Sequence, residues 1–245
     1  MGSAARRDGR TAIQLRPLAC TRGLLNRAHG SARWSQENTC VLAAVYGPKS
    51  ISGRRENPER ATIEVIWKPK SGMTGNKEKE AELVLRRSLD YIIIATLHPN
   101  TGMSIIVQVI SDDGALLACA INATTAALVD TGIPLSGLIA AVSCGINKEG
   151  DLLLDLTKSE EQEAQAHVCL VFPNRPLSMK VETSIKSDDE PVEHGLVTSV
   201  TCGAMSVDDY LSCLDLGRAA SLKISEFSRT SLEQSQRAVE LVTPT

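Results

Sequence analysis

Residues 104–132 read SIIVQVISDDGALLACAINATTAALVDTG, and this stretch decides the fold predicted for the chain. The β-branched run over residues 105–110 predicts a buried strand. A polar turn follows, Ser111-Asp112-Asp113-Gly114, in which Asp113 is placed to act as the N-cap of a helix. Residues 115–129 are mostly Ala, Leu and Cys, and a helix this apolar must be buried on nearly every side. We therefore predict a central helix packed on the preceding strand, with an N-terminus that can attract anions.

Composition is typical of a globular chain with an aliphatic core. The 245 residues are 42% hydrophobic but only 3% aromatic, so Val, Ile, Leu and Ala must fill that core. The longest apolar run is too short to cross a bilayer, and we expect no membrane partner. The seven cysteines are scattered without a C-x-x-C pair. That pattern is typical of reduced thiols in an intracellular protein and excludes a zinc ribbon or a disulfide framework.

Charge is distributed unevenly along the chain. Residues 1–90 carry 17 Lys and Arg against 9 Asp and Glu, whereas residues 91–245 carry 9 against 20. A solvated surface explains such a bias in many proteins. A basic half on a chain of net charge −3 also indicates a face that binds a polyanion or an acidic partner.

The other segments predict strands and helices in mixed order. Strands are predicted over residues 12–15, 40–46, 61–67, 138–146, 151–156, 166–172, 177–185 and 196–202. A helix is predicted from about Lys79, with Leu83, Leu89, Ile92 and Ile93 on its apolar side, and a long C-terminal helix with Ser206 as N-cap and Asp209 as capping-box partner. The order predicts one α+β layered domain over residues 7–235 and a flexible tail over residues 236–245.

The sequence contains no P-loop, no G-x-S-x-G, no H-E-x-x-H and no dinucleotide fingerprint. Six short motifs, in a fixed order from about residue 7 to residue 230, nevertheless resemble the RNase PH family. They are Arg7-Asp8-Gly9-Arg10 with Leu15-Arg16-Pro17, Gly30-Ser31-Ala32, VLAAVYGP over residues 41–48, Leu85-Arg86-Arg87-Ser88-Leu89, Asp113-Gly114 before the Ala-rich helix, and Leu154-Asp155-Leu156 before a Glu-rich segment. Within the family the chain looks most like ring subunits of the eukaryotic RNA exosome.

The resemblance implies a fold, an activity and a set of partners. The fold is a single α+β domain of the ribosomal-protein-S5-domain-2-like type, whose members pair head to tail and close into hexameric rings around a channel for single-stranded RNA. Active members shorten RNA from its 3′ end by phosphorolysis, in which inorganic phosphate attacks the terminal linkage. The implied partners are single-stranded RNA and other RNase-PH-like exosome ring subunits, and the implied location is the nucleus, the nucleolus and the cytoplasm.

Phosphorolysis needs arginines for phosphate, a helix N-terminus for an oxyanion, and carboxylates for a divalent ion or a proton. The family's helix arginine falls on Arg87, but its Gly-Thr-Arg falls on Ala115-Leu116-Leu117. Its two catalytic aspartates fall on Glu161 and His167, with Glu160 alongside. Losing one charge-assisted phosphate contact costs about 2 kcal/mol. We therefore expect a degenerate phosphorolytic site.

These considerations nominate the site residues. The candidate catalytic residues are Glu160, Glu161 and His167, of which Glu160 and Glu161 are also candidate Mg²⁺ ligands. The candidate RNA-binding or phosphate-binding residues are Arg86, Arg87, Lys77, Lys79, Asp113 and Gly114. RNA binding requires no cofactor, whereas remaining nuclease activity would use Mg²⁺ and inorganic phosphate. Three of these residues also have a structural alternative: Glu160 on a solvated helix turn, Arg86 paired with an acidic neighbour in this chain or across a subunit contact, and Asp113 as a helix cap.

Three hypotheses for function follow. The first is a catalytically degenerate ring subunit of the RNA exosome that binds RNA during 3′-to-5′ processing and decay. The second is a residual 3′-to-5′ exoribonuclease or metal-assisted nuclease that acts on RNA or single-stranded DNA as a homodimer. The third is an α+β protein whose basic face docks on an acidic protein. The sequence leaves open whether the isolated chain is a monomer or a homodimer.

Overall fold

The computed structural model describes residue 6 and residues 8–50, 57–174 and 195–242, with side chains up to residue 234. The described strands are β1 Leu18–Arg22, β2 Gly30–Gln36, β3 Thr39–Ser50, β4 Thr62–Lys68, β5 Thr101–Ser111, β6 Leu138–Ile146, β7 Leu152–Leu154, β8 Ala166–Asn174 and β9 Thr198–Gly203. The described α-helices are α1 Asn76–Ile92, α2 Leu116–Thr131, α3 Lys158–Glu163 and α4 Val207–Val242. The strand predicted over residues 177–185 lies outside the described residues.

The strands form two sheets, and their combination with the helices confirms the predicted α+β class. The first sheet has the order β1-β2-β3-β5-β4, in which β4 and β5 are parallel and the other pairs are antiparallel. The helix α1 provides the crossover that a parallel β4–β5 pair requires. The second sheet has the order β7-β6-β8-β9 and is antiparallel throughout.

The helix α2 is the centre of the molecule, as its apolar sequence predicts. It contacts β2 and β3 of the first sheet and β6 of the second. Ten of its sixteen residues are buried. Its one buried amide, Asn122, donates to the carbonyl of Ala141 at 2.9 Å and accepts from the same residue's N–H at 2.8 Å. This pair satisfies the polar group and fixes α2 against β6.

The C-terminal helix α4 packs on β6 and β8. The hydroxyl of Ser206 accepts the N–H of Asp209 at 3.2 Å, so the predicted N-cap is confirmed. The helix extends to Val242, and the proposed boundary of a tail at residue 236 stays a prediction. Within the described ranges, no helix has both the length and the apolarity to cross a membrane.

Two predictions for the first half of the chain are wrong in detail. No strand forms over residues 12–15; instead the carbonyl of Ala12 accepts the N–H of Leu154 at 2.8 Å, which holds this segment against the second sheet. The strand predicted to close before Pro48 continues to Ser50 as part of β3, because its later residues pair with the start of β5.

The apolar side predicted for α1 also needs correction. The helix begins at Asn76, and its buried residues are Leu85, Ser88, Leu89 and Ile92. Leu83 is instead 49% exposed. At 100° per residue, Leu83 lies about 160° around the helix from Leu85, so the two cannot share one face.

Candidate active site

A cavity of about 200 Å³ opens at the N-terminus of α2. The second sheet and α3 form its other walls. The lining residues are Ala115, Leu116, Leu117, Ala118, Ser143, Glu161, His167, Cys169, Val200 and Cys202. Two of the three sequence-predicted catalytic residues, Glu161 and His167, thus lie in one cavity with Leu116 and Leu117. Of the described residues that line it, none is Lys or Arg.

The turn before α2 is organised differently from the prediction. The N-cap residue is Ala115, with φ of 51° and no side-chain cap, so the assignment of Asp113 as N-cap is wrong. The carboxylate of Asp113 accepts from the Asn38 amide at 3.2 Å. Ala115 occupies the left-handed region, which costs a non-glycine residue about 1–2 kcal/mol.

Gly114 is required by the close approach of a neighbouring loop. Its φ is 82°, and a Cβ at this position would lie 2.5 Å from the carbonyl oxygen of Leu156 and 2.6 Å from the backbone nitrogen of Lys158. Its own carbonyl accepts from the hydroxyl of Thr39 at 2.8 Å. Gly114 therefore joins the turn before α2 to the loop before α3. A role for Gly114 and Asp113 in binding phosphate stays a prediction.

Glu161 supplies the missing cap of α2. Its Oε1 accepts the N–H of Ala115 at 2.7 Å, across 46 residues of sequence. Burial raises the pKa of this carboxyl, although the Ala115 N–H and the nearby His167 act in the opposite direction. The result is a carboxylate held at the positive end of a helix, inside the cavity.

Glu160 points away from this cavity. Its carboxylate accepts from Arg6 Nε at 2.8 Å and from Arg6 Nη2 at 2.5 Å, and it caps the N–H of Thr157 at 2.9 Å. Burial alone would raise the pKa of Glu160, but these hydrogen bonds outweigh it and lower that pKa. The two glutamates are therefore not directed at a common ion. No group of three or more His, Cys, Asp or Glu in the described part of the chain is arranged to hold a metal.

A buried ion pair holds the cavity walls together. Arg16 Nη2 lies 2.6 Å from Asp155 Oδ1, and the two side chains are 0% and 2% exposed. The same guanidinium donates to the carbonyls of Asp113 at 2.8 Å and Gly114 at 3.3 Å. Burial opposes the charge of Arg16, but Asp155 outweighs it, so the pKa of Arg16 is raised. Arg16 thus fixes the start of α2 relative to the loop before α3.

The cationic residues predicted to bind RNA lie on α1 and not in this cavity. All four of them, Lys77, Lys79, Arg86 and Arg87, are exposed. Lys79 and Arg86 line a second cavity of about 580 Å³ along the outer strand β4, together with Lys49 and Tyr46. Neither forms an ion pair with another described residue. The alternative in which Arg86 pairs with an acidic neighbour stays a prediction.

Arg87 does not line either cavity. It lies next to Ser88, whose hydroxyl is 2.9 Å from that of Thr198 on β9. The strand β9 contributes Val200 and Cys202 to the wall of the first cavity. Arg87 is therefore on the helix that abuts the outer wall of the candidate active site.

Sequence reasoning missed the buried network and part of the cavity wall. Arg16 and Asp155 were visible only as members of weak three-residue motifs. Ser143, Cys169 and Cys202 gave no signal, because strand residues that meet across a sheet are far apart in sequence. Burial raises the pKa of the Cys169 thiol to about 12, as expected of a wall residue.

Comparison with known proteins identifies the family. A family model described as the 3′ exoribonuclease family, domain 1, matches residues 14–134. A protein of Arabidopsis thaliana described as an exosome complex exonuclease RRP46 homolog is 54% identical over 230 residues, which are 94% of this chain and 96% of that protein. The chain belongs to the RNase PH family. The resemblance carried by the six sequence motifs is therefore confirmed.

Solved structures agree with this RNase PH assignment. The crystal structure of rice Rrp46 matches with a TM-score of 0.83 and 51% identity, over 93% of this chain and all 100% of that chain. A chain of the Archaeoglobus fulgidus exosome with RNA bound to the active site matches with a TM-score of 0.71 over 90% of this chain and 91% of that one. Its identity is 17%, so that likeness shows the shared fold alone.

Proposed function

We propose that this RNase PH protein is an RNA-binding ring subunit of the RNA exosome with a degenerate phosphorolytic site, which takes part in 3′-to-5′ RNA processing and decay. One observation carries the proposal. The cavity at the start of α2 is lined by Leu116 and Leu117 and contains no described Lys or Arg to hold phosphate. Ring membership is supported by the exosome names of the relatives. Other RNase-PH-like subunits are the proposed partners, and the nucleus, nucleolus and cytoplasm the proposed locations.

Degradation of end-labelled RNA tests whether the site catalyses phosphorolysis. Purified protein would be incubated with single-stranded RNA labelled at either end, in the presence of phosphate, Mg²⁺, both or neither. We expect RNA binding without release of nucleoside diphosphates. Phosphate-dependent release of nucleoside diphosphates would contradict the proposal. A relative with the family's arginine in the cavity would serve as the positive control.

A second function is favoured by one specific contact pattern. Glu161, whose pKa is raised by burial, faces the cavity beside His167. A carboxyl group and an imidazole in one cavity are suited to general acid–base catalysis. Under this alternative the chain is a residual nuclease on RNA or single-stranded DNA, acting as a homodimer. Cleavage without phosphate that is lost in Glu161→Gln would support it, and Mg²⁺ dependence would show whether metal assists.

The exposed cations of α1 are the proposed RNA contacts. We expect Lys79→Glu/Arg86→Glu to lower the affinity for oligouridylate at least about tenfold at low salt, because two phosphate contacts become repulsive. The slope of log affinity against log salt should fall by about 1.4 if each cation meets one phosphate. Fluorescence anisotropy over a salt series would measure both.

Lys148→Glu, which changes the net charge by −2 against −4 for the double variant, is the control for this experiment. Lys148 is exposed in the turn between β6 and β7, away from α1. Its reversal changes the net charge in the same direction, so it reports any general electrostatic effect. Equal losses in the control and in the double variant would show that α1 is not an RNA-binding surface. That result would favour a basic face that docks on an acidic protein.

A further inference from the structure

The N-terminal segment crosses the loop before α3 without joining either sheet. We call residues 8–16 together with Arg6 the strap. The residues of the strap form no strand and no helix. The carbonyl of Ala12 accepts the N–H of Leu154 at 2.8 Å, which places the strap directly against this loop. Because no ladder of backbone hydrogen bonds holds the strap, individual contacts of its side chains must keep it in place.

Arg6 is the contact between the strap and α3. Its Nε donates to Glu160 Oε1 at 2.8 Å, and its Nη2 donates to Glu160 Oε2 at 2.5 Å. The same guanidinium donates to the carbonyls of Leu154 at 2.8 Å and Asp155 at 3.1 Å. The side chains of Arg6 and Glu160 are 2% and 16% exposed, so salt screens this pair only weakly. One side chain of the strap therefore joins the first turn of α3 to the loop before it.

Two further arginines of the strap contact the same loop. Arg10 Nη1 donates to the carbonyl of Asp155 at 3.2 Å, and Arg10 Nη2 lies 4.0 Å from Glu160 Oε2. Arg10 Nε is held by Asp8 Oδ2 at 2.6 Å. The N–H of Arg16 donates to Asp155 Oδ2 at 2.9 Å, beside the ion pair that its guanidinium forms with the same carboxylate. Loss of the strap would therefore leave Asp155 and Glu160 without the cations that offset their burial.

The helix α3 depends on these contacts for its position. It has six residues, none of which is fully buried, so little apolar packing holds it. An isolated helix of this length is not stable by itself. Glu161 follows Glu160 directly, lines the cavity, and accepts the N–H of Ala115 at 2.7 Å. The residue that holds Glu160 thus also determines where the side chain of Glu161 lies.

We propose that the strap is a conformational clamp on the candidate active site, and that Arg6 is the positioning residue through which it holds Glu161 in the cavity. When the strap detaches, α3 moves away from the start of α2 and the cavity opens. Both sheets keep their pairing, because no residue of the strap belongs to either of them. This inference goes beyond the proposed function, since it holds whether the site is degenerate or retains nuclease activity.

Thiol labelling of the full chain tests the proposal. Cys169 lines the cavity and is 8% exposed, whereas Cys213 on α4 is 0% exposed and is not among the lining residues. Labelling with iodoacetamide, followed by peptide mass spectrometry, would compare the unmodified protein with Arg6→Leu. We expect Cys169 to react at least about tenfold faster in Arg6→Leu, because labelling of a buried thiol follows the population of the open form. Cys213 should keep its rate of labelling, since the clamp acts on the cavity alone.

Two control variants make the labelling specific. Arg6→Lys keeps the charge, but one ammonium group cannot reach the carboxylate and both carbonyls together, so the labelling of Cys169 should accelerate less than in Arg6→Leu. Arg27→Leu removes an exposed arginine and should match the unmodified protein. An unchanged rate for Cys169 in Arg6→Leu would overturn the proposal. Equal acceleration of Cys169 and Cys213 would overturn it as well, because Arg6 would then support the whole fold and not a separate clamp.

Hydrogen exchange of the unmodified protein decides the matter if Arg6→Leu does not fold. The amide of Leu154 reports on the strap, the amide of Glu161 reports on α3, and the amide of Ala141 reports on the core between α2 and β6. We expect the protection factors of Leu154 and Glu161 to be at least about tenfold lower than that of Ala141, because the clamp opens without global unfolding. Protection of either amide equal to that of Ala141 would overturn the proposal.

Discussion

Replacing Arg16 by leucine is expected to lower the free energy of unfolding by about 3–5 kcal/mol. The substitution removes the nearer cation of Asp155, which is 2% exposed, and leaves only Arg10 Nη1 at 3.9 Å to offset the buried carboxylate. It also removes the Arg16 donor from the carbonyl of Asp113, and it leaves the carbonyl of Gly114 with the hydroxyl of Thr39 as donor. Urea denaturation followed by circular dichroism would measure the change. Because Arg16 connects the turn before α2 to the loop before α3, the geometry of the cavity should change as well.

Two further variants make this prediction specific. Arg27→Leu removes an exposed arginine and should change stability by no more than about 0.5 kcal/mol. Arg16→Leu/Asp155→Asn should recover part of the loss, because the uncompensated charge is gone. Asparagine also tolerates the left-handed backbone of Asp155, whose φ is 54°. A loss below about 1 kcal/mol in Arg16→Leu would show that the pair does not hold the fold.

Gly114→Ala is expected to have the second large effect. Its φ of 82° alone costs an alanine about 1–2 kcal/mol. The added Cβ would also lie 2.5 Å from the carbonyl oxygen of Leu156, which is backbone and cannot rotate away. The loop before α3 must therefore move, and Glu161 should lose its place at the Ala115 N–H. We expect a total loss of about 3 kcal/mol or more, measured by thermal unfolding.

Gly132→Ala separates the two causes. Gly132 ends α2 with φ of 71°, but a Cβ there would meet nothing within 4 Å. Its substitution should therefore cost only the conformational strain, about 1–2 kcal/mol. Faster hydrogen exchange of the Ala115 amide in Gly114→Ala, but not in Gly132→Ala, would locate the damage at the cavity. Equal losses of stability in both variants would show that residues 156–158 accommodate the added Cβ at position 114 without an energetic cost.

Much of the fold follows from local patterns. The apolar run of α2, the β-branched strand before it and the Gly-Pro stop after it each predict their own element, because propensity and periodicity act over a few residues. The Ser206 cap of α4 is equally local. The error at residues 12–15 arose where a tertiary contact decides, because the carbonyl of Ala12 is bound by the N–H of Leu154. The error at Leu83 is local, because the rotation of 100° per residue already places Leu83 away from the face of Leu85.

The candidate site could be predicted only in part. The absence of Lys and Arg from residues 115–118 at the start of α2 is visible from the sequence, and so is the presence of Glu161 and His167. The sequence could not show that the adjacent residues Glu160 and Glu161 meet different partners, Arg6 and the N–H of Ala115. Nor could it show that Arg16 and Asp155, 139 residues apart, form one buried pair.

The sequence by itself determined the family and the α+β class, because both are encoded in residue identity or short-range order. The tertiary structure alone decided which carboxylate reaches the end of α2. That choice depends on the rotation of α3, which the Arg6–Glu160 ion pair and the close approach of Gly114 to the loop before α3 set through contacts between distant segments. The helix end is capped by Glu161 and not by the adjacent Asp113 for that reason.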